Sequence, residues 1–284
     1  MKRFVRGVRS RLLAYMAASH TVGSSLSDAA PVCAWARDNG WRITIGPWVG
    51  DGDDFDAVTG IYIQTAWFIA SQIADGHLSI KTPDFGGSAA RLDLVLAAAR
   101  ETRVRLQFDS LSQQEAPASL ALLERACARY DNIGCTLPAR WGRSAVDAER
   151  AIALGAAVRV VRGQWPDPVV PHPHVEELYL QLIDRLAGRA REVMVATHNA
   201  PLARLAIGKL LRSGTPAELE QMFGLPMIGA RLNGTSGVPL RLYVPFGRGY
   251  FPFNVRDVCD RPAVARWLLR DMALGRRGKM THYT

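Results

Sequence analysis

Val104-Arg105-Leu106-Gln107-Phe108-Asp109 is a short apolar run that ends on a carboxylate. Residues 89–101 before it and 114–130 after it carry apolar side chains at helical spacing. A run this short between two amphipathic helices reads as a strand, at 103–108, of a parallel sheet covered on both faces. Working outward, the unit recurs. Upstream lie a strand at Arg42–Trp48, a helix at 55–74 and a strand at His77–Lys81. Downstream come strands at 133–137, 157–162, 192–196, 218–222 (the weakest) and 240–244. Helices at 144–154, 175–187, 201–212 and 226–234 separate them, and a last helix covers 262–274. Eight such units favour closure into a (β/α)8 barrel of TIM type over an open doubly wound sheet.

The residues able to do chemistry sit where the runs end. Lys81 follows Leu78-Ser79-Ile80, and Asp109 follows Phe108. Arg159 and Arg162 lie within and just after Val158-Arg159-Val160-Val161, with Gly163-Gln164-Trp165 beyond. Thr197-His198-Asn199 follows Val193 to Ala196, and Tyr243 to Gly247 closes the last run. In a closed parallel barrel that edge is where active sites are built.

At 284 residues, 48% hydrophobic and 21% charged, the chain fits one large domain with a full core. No linker interrupts it, so the barrel is expected over 41–284 behind an N-terminal helical extension over 1–40. In that extension Ser27-Asp28 reads as a helix cap and Gly40 as a stop. No apolar run reaches the roughly 20 residues of a membrane span. The four cysteines have no metal spacing, and His172 and His174 lack a third ligand, so no metal site is expected. The net charge of +9 is dispersed, and no groove-reading motif is present, so nucleic acid is not an expected partner. The basic start, with Lys2, Arg3, Arg6, Arg9 and Arg11 among apolar residues, fits a solvated terminal helix or one that adsorbs to an anionic membrane. No small-residue cleavage site follows a long apolar core there, so a secretory signal is not expected. The expected location is the cytoplasm, with peripheral contact to the inner face of the membrane as the variant.

Arg159 falls inside a strand on the face of Val161. A guanidinium directed into a barrel needs a partner, because a buried unpaired charge is costly. A ligand's carbonyl, phosphate or ring nitrogen would serve, and so would an internal ion pair with Asp109. Gly163 allows close backbone approach and Trp165 a stacking surface. Thr197, His198 and Asn199 read either as ligand contacts or, for Thr197 and Asn199, as helix caps. Lys81 and Asp109, ending adjacent strands, fit an ion pair or the charged floor of a pocket.

Taken in order, these motifs resemble the proline dehydrogenase family from about Ala17 to Gly275. Ile80-Lys81-Thr82 is similar to its strand-end lysine motif, and Leu106 to Asp109 to its strand-end aspartate. Arg159 to Trp165 matches R-L-V-K-G-A-Y, Ala196 to Asn199 matches A-T-H-N, and Tyr243 to Gly247 matches Y-V-P-Y-G. Glu218 to Gly224 is similar to F-E-x-Q-x-L-x-G, and Arg256 to Pro262 stands where the family has R-R-L-x-E-R-P. The resemblance implies a flavin-binding (β/α)8 barrel that oxidises L-proline or a related cyclic amine by hydride transfer to FAD, with electrons passed to a quinone or another acceptor. It implies that Arg159 faces the flavin ring. Arg162, Gly163, Trp165, Thr197, His198, Asn199 and Glu220 would contact the cofactor. Lys81, Asp109, Phe253, Arg256, Asp257 and Asp260 would form the substrate site. Arg159, Lys81 and Asp109 carry the catalytic assignment.

The departures concentrate on substrate recognition. Asp257 replaces the second arginine of the pair that grips the carboxylate, which halves the clamp and adds a negative charge. Phe253 replaces a tyrosine, Asp260 shortens a glutamate, Pro138 and Glu220 replace glutamines, and the loop 166–173 lacks the usual lysine. A proline derivative is therefore expected as readily as proline. Two other readings stay open at this level: a flavin-free lyase or aldolase using Lys81 as a Schiff-base nucleophile, and a non-catalytic ligand-binding barrel.

Overall fold

The structure is a computed structural model and describes residues 22–50, 52–109, 112–163, 167, 174–225, 227 and 237–247. Eight strands run in chain order: β1 (Arg42–Trp48), β2 (His77–Lys81), β3 (Arg105–Asp109), β4 (Ile133–Pro138), β5 (Ala157–Val161), β6 (Val193–Ala196), β7 (Ala217–Met222) and β8 (Leu240–Gly247). Each pairs in parallel with the next, and β1 pairs with β8 from Arg42↔Arg241 to Trp48↔Gly247, which closes the barrel. The helices are α1 (Leu26–Asp38), α2 (Phe55–Gln72), α3 (Ala89–Thr102), α4 (Ala116–Cys127), α5 (Ser144–Ala153), α6 (Val175–Leu186) and α7 (Ala200–Arg212). A short 3-10 turn, Thr82–Phe85, follows β2. The weak seventh strand of the sequence reading is present as β7.

Alternation along the strands sorts the side chains onto two faces. One set, including Ile43, Ile45, Leu78, Leu106, Val158, Val160, Val193, Leu219 and Leu242, is buried in the hydrophobic core that joins barrel and helices. The other set includes Ser79, Gln107, Thr136, Arg159, Glu218, Glu220 and Arg241, all buried and all polar. Hydrogen bonds between non-adjacent strands place this second set across the lumen. The barrel interior is thus a polar, ion-paired column, and the apolar core is the layer around it. Gly46 is one reason the column fits: a Cβ there would lie 2.1 Å from the Tyr243 hydroxyl.

One N-terminal detail differs from the sequence expectation. The cap of α1 is Ser25, not Ser27-Asp28; Asp28 instead completes a capping box with its carboxylate on the Ser25 amide. The helix lies against the barrel. It packs on β8 and β1, and the backbone before it bonds to β8 through Val22 N–H to Pro245 O at 2.9 Å. The expected elements at 226–234 and 262–274, together with residues 1–21, lie outside the described residues, Met227 excepted.

The N-terminal end of the barrel is closed by ions. Arg241, fully buried, donates to Glu218 at 2.5 Å and to the carbonyls of Ile43 and Asp75 at 2.8 and 3.1 Å. Arg42 also pairs with Glu218. Burial opposes ionisation of Glu218, yet Arg241 and Arg42 hold its carboxyl below the usual range. Conserving charge balance here serves the scaffold, since chemistry belongs to the other face.

Candidate functional site

At the C-terminal end the strands deliver one connected cluster. Arg159 of β5 donates from Nε and Nη2 to the two oxygens of Glu220 on β7, at 2.5 and 3.0 Å. Its Nη1 donates to Asp109 Oδ1 on β3 at 2.6 Å. A bidentate fork plus a second carboxylate is the geometry a guanidinium satisfies best. Burial alone would lower the Arg159 pKa, but Glu220 and Asp109 raise it above its ordinary value. The Arg159 side chain is 4% exposed and that of Glu220 is 2% exposed, so neither relies on water.

Asp109 is held from every side. Its Oδ2 accepts from the Ser79 hydroxyl at 2.6 Å and from Tyr243 Oη at 3.3 Å, and its Oδ1 also accepts from Thr136 at 3.1 Å. Tyr243 in turn accepts from Trp48 Nε1 at 3.3 Å, and its ring lies 5.2 Å from the Arg159 guanidinium carbon. Burial, with Asp109 adding to it, pushes the Tyr243 phenol up, so it stays a neutral donor.

Lys81 stands beside Asp109 in the β2–β3 register, and of the two readings open for the pair the direct ion pair is not the bond Lys81 makes. Its Nζ donates to the Pro47 carbonyl at 2.9 Å. The lysine stem reaches across to β1 while the Asp109 oxygens are already spent on Arg159, Ser79, Thr136 and Tyr243. Burial lowers the Lys81 ammonium below the ordinary lysine range, opposed by Asp109 and Asp84. Asp84, in the 3-10 turn, accepts from the buried Tyr62 hydroxyl. Burial raises the Asp84 carboxyl, with Lys81 pulling the other way.

The β6 end is ordered by local bonds. Asn199 caps α7, its Oδ1 accepting from Leu202 N–H at 3.2 Å, and its Nδ2 donates to Glu176 at 2.8 Å. This is the capping role weighed for it in the sequence. Thr197 Oγ1 accepts from the Asn199 amide at 3.1 Å. His198 Nε2 accepts from Met222 N–H at 3.1 Å, which holds the ring against β7. All three side chains remain half-buried, at the rim rather than in the floor. The pairing Val161↔Ala196 sets Arg162 and Gly163 alongside Thr197 and His198. Gly163 has φ +89°, and a Cβ on it would lie 2.7 Å from Pro138 Cβ.

Lys81, Asp109, Arg159 and Glu220 therefore meet in one floor, and Arg162, Gly163, Thr197 and His198 in the adjoining rim. Trp165, Phe253, Arg256, Asp257 and Asp260 lie outside the described residues. The site list from sequence missed Tyr243, Ser79 and Thr136, which complete the Asp109 shell. Their signal was present: Ser79-x-Lys81, Gln107-x-Asp109, Glu218-x-Glu220 and Arg241-x-Tyr243 repeat polar residues at period two, the mark of one strand face.

No family model matches the chain. Among characterised proteins, it is 22% identical over 215 residues to proline dehydrogenase 1 of Bacillus subtilis subsp. natto, covering 71% of each chain. It is 20% identical over 267 residues to proline dehydrogenase 2 of Bacillus subtilis strain 168, covering 88% of each. Among solved structures, it matches proline utilization A from Bdellovibrio bacteriovorus inactivated by N-propargylglycine, with TM-score 0.74 and 16% identity over 95% of this chain. Proline utilization A from Corynebacterium freiburgense gives TM-score 0.66 at 15% identity, again over 95% of this chain. The chain spans about a third of the length of these two proteins, 34% and 32%. The structural matches show the barrel fold, and the sequence matches show a distant similarity to proline dehydrogenases.

Proposed function

We propose that this barrel is an FAD-dependent dehydrogenase that oxidises L-proline or a related cyclic amine to the corresponding pyrroline. One observation carries the reading. Beside the overall likeness to proline dehydrogenases stands a cross-lumen cluster of Asp109, Arg159 and Glu220, built beside Lys81 at the end of the barrel where chemistry is done.

The rim residues suit a flat, phosphorylated cofactor. Gly163 turns the chain at φ +89° beside the exposed Arg162, and Thr197 and His198 stand on the neighbouring strand end. Arg162, Gly163, Thr197 and His198 would hold FAD, with Trp165 as a stacking face. FAD, when bound, supplies the hydride acceptor. The protein supplies orientation. Lys81, whose Nζ donates to the Pro47 carbonyl at 2.9 Å, would orient the amine beside the floor. Asp109 and Tyr243 fix the floor against which the ring sits. Arg159, clamped on three donors, keeps that floor rigid. The electrons pass to a quinone or another acceptor, and the basic start of the chain offers a contact to an anionic membrane surface. Among the described residues no helix is long and apolar enough to cross a membrane.

The test is the absorption spectrum of the purified protein, followed by anaerobic addition of proline and proline amide. Flavin bands that bleach with an amine support the reading. A colourless protein that takes up no FAD on titration refutes it.

A further inference from the structure

The helices round the wall of the barrel are joined by ion pairs over much of its circumference. Asp93 of α3 pairs with Arg125 of α4, and Glu124 of α4 with Arg150 of α5. Glu149 of α5 pairs with Arg185 and Arg189, and Asp184 of α6 with Lys209 of α7. The seam between α1 and α2 is built differently. At the N-terminal end of the barrel Arg37 donates to the Gln72 carbonyl at 3.4 Å. Along the seam runs a groove of about 370 Å³ lined by Ser27, Ala30, Pro31, Ala34, Phe68 and Gln72. Beside it α2 turns an uncharged stripe outward, Gly60, Gln64, Trp67 and Ser71 at helical spacing, with Trp67 46% exposed. Across the whole of α2 the one charge is Asp56, and Arg91 of α3 holds it at 2.6 Å. The outer side of α3 continues the face with Ala90, Leu94 and Ala97, all exposed. Three of the six large apolar side chains that stand exposed among the described residues, Phe55, Trp67 and Leu94, are on these two helices. Single exposed apolar residues need no explanation, but a cluster on one face marks an interaction site.

We propose that this face is a dimer interface: its partner is a second copy of the chain, and Trp67 is the anchor that enters the α1–α2 groove of the other copy. Knob and hole lie on the same face, so a two-fold axis between them seats both tryptophans at once, the isologous arrangement. Charge selects this face for self-contact. The chain carries +9, which drives copies apart, but along Gln64, Trp67, Ala90, Leu94 and Ala97 two copies meet without a charge. Charged groups stand at the ends of the helices, where the polar rim of an interface belongs. A lipid surface would need unopposed cations here. Instead Arg37 lies 3.6 Å from Asp38, Arg91 is on Asp56, and exposed Arg100 is followed by exposed Glu101. The size is sufficient. The 18 residues of α2 span about 27 Å, and three helices side by side are about 30 Å wide, so the face offers about 800 Å², one partner's share of a standard interface. It lies on the side wall, so a second copy there leaves the mouth above Lys81 and Asp109 open.

The test is sedimentation velocity of the full-length chain over a micromolar concentration series. The wild type is expected to dimerise. Trp67→Arg is expected to weaken the dimer by about thirtyfold or more, the loss a buried aromatic anchor gives, with circular dichroism and melting temperature unchanged. Ala34→Arg, which fills the groove, is expected to do the same, and Leu205→Arg, on the exposed side of α7, to leave the dimer intact. A wild-type chain that stays monomeric throughout the series overturns the proposal. A dimer that Trp67→Arg and Ala34→Arg leave unchanged overturns it as well. If Ala34→Arg does not fold, Trp67→Arg decides. A photo-crosslinking residue in place of Gln64 then reads the occupant. Products that join two copies through α1 or α2 support the proposal. A product that joins position 64 to residues 1–21 of the same chain overturns it, because the start of the chain then covers the face. A monomer that floats with anionic vesicles, and ceases to with Trp67→Arg, assigns the face to lipid and overturns it too.

Discussion

Replacing Arg159 with methionine separates a ligand contact from a structural keystone. Read from sequence, Arg159 is either a ligand-facing donor or half of an ion pair with Asp109, and its loss leaves the fold intact. The structure assigns it three short bonds to two carboxylates, at 2.5, 3.0 and 2.6 Å. Methionine matches the aliphatic stem, so little packing is lost. The Glu220 carboxylate, 2% exposed, is left without its counter-ion. Breaking one partner out of a buried pair costs about 3–5 kcal/mol. Asp109 suffers less, because Ser79, Thr136 and Tyr243 still donate to it. In a chain of this size each kcal/mol moves the melting temperature by about 2–4 °C, so a fall of about 10 °C is expected. The assay is urea and thermal unfolding of Arg159→Met, Glu220→Gln and the double variant, followed by circular dichroism. The double variant removes the stranded charge and is expected to recover most of the loss, a coupling that only contacting residues show. A single variant that loses under about 1 kcal/mol, or a double variant that falls by the sum of the singles, would refute the keystone role.

Two further outcomes are expected. His77, fully buried among arginines, has its pKa driven well below 6.5, first by burial and then by Arg241 and Arg105. The folded state therefore keeps it neutral while the unfolded chain takes up a proton below pH 6.5. Stability contributed by this site is full above 6.5 and is lost as pH falls, by up to about 1.4 kcal/mol per unit. His77→Gln should flatten the slope of urea stability between pH 7 and 5, and an unchanged slope would count against this assignment. Gly46→Ala places a methyl 2.1 Å from the Tyr243 hydroxyl, so the ring must leave its contacts with Asp109 and Trp48. Overpacking of this kind costs about 1–3 kcal/mol, and it is expected to lower the melting temperature and weaken amine binding together. A variant with wild-type values for both would show that the ring has room to move.

The strands β1 and β2 were legible residue for residue, because a short apolar run between helical patterns has few other ways to bury itself. Strand boundaries drifted where polar residues begin or end a run, as at β3, read from 103 and observed from Arg105. Local chemistry also settled that Asn199 is fit for a cap, since a cap needs only its own first turn. It misplaced the cap of α1 because Ser25 and Ser27 offer the same group two residues apart, and only the backbone turn before α1 selects between them. The sequence by itself thus determined the barrel, the end that carries function and most of the floor: Lys81, Asp109, Arg159 and the unusual Glu220 are all strand-end or lumen-facing by position. It offered Asp109 as one partner for Arg159 and left the pairing of Glu220 unread. Glu220 is 61 residues from Arg159 and Asp109 is 50. No local pattern couples residues so far apart. The tertiary structure decided it by closing the sheet, which brings β3, β5 and β7 to face one another across a lumen too dry to leave a charge unpaired.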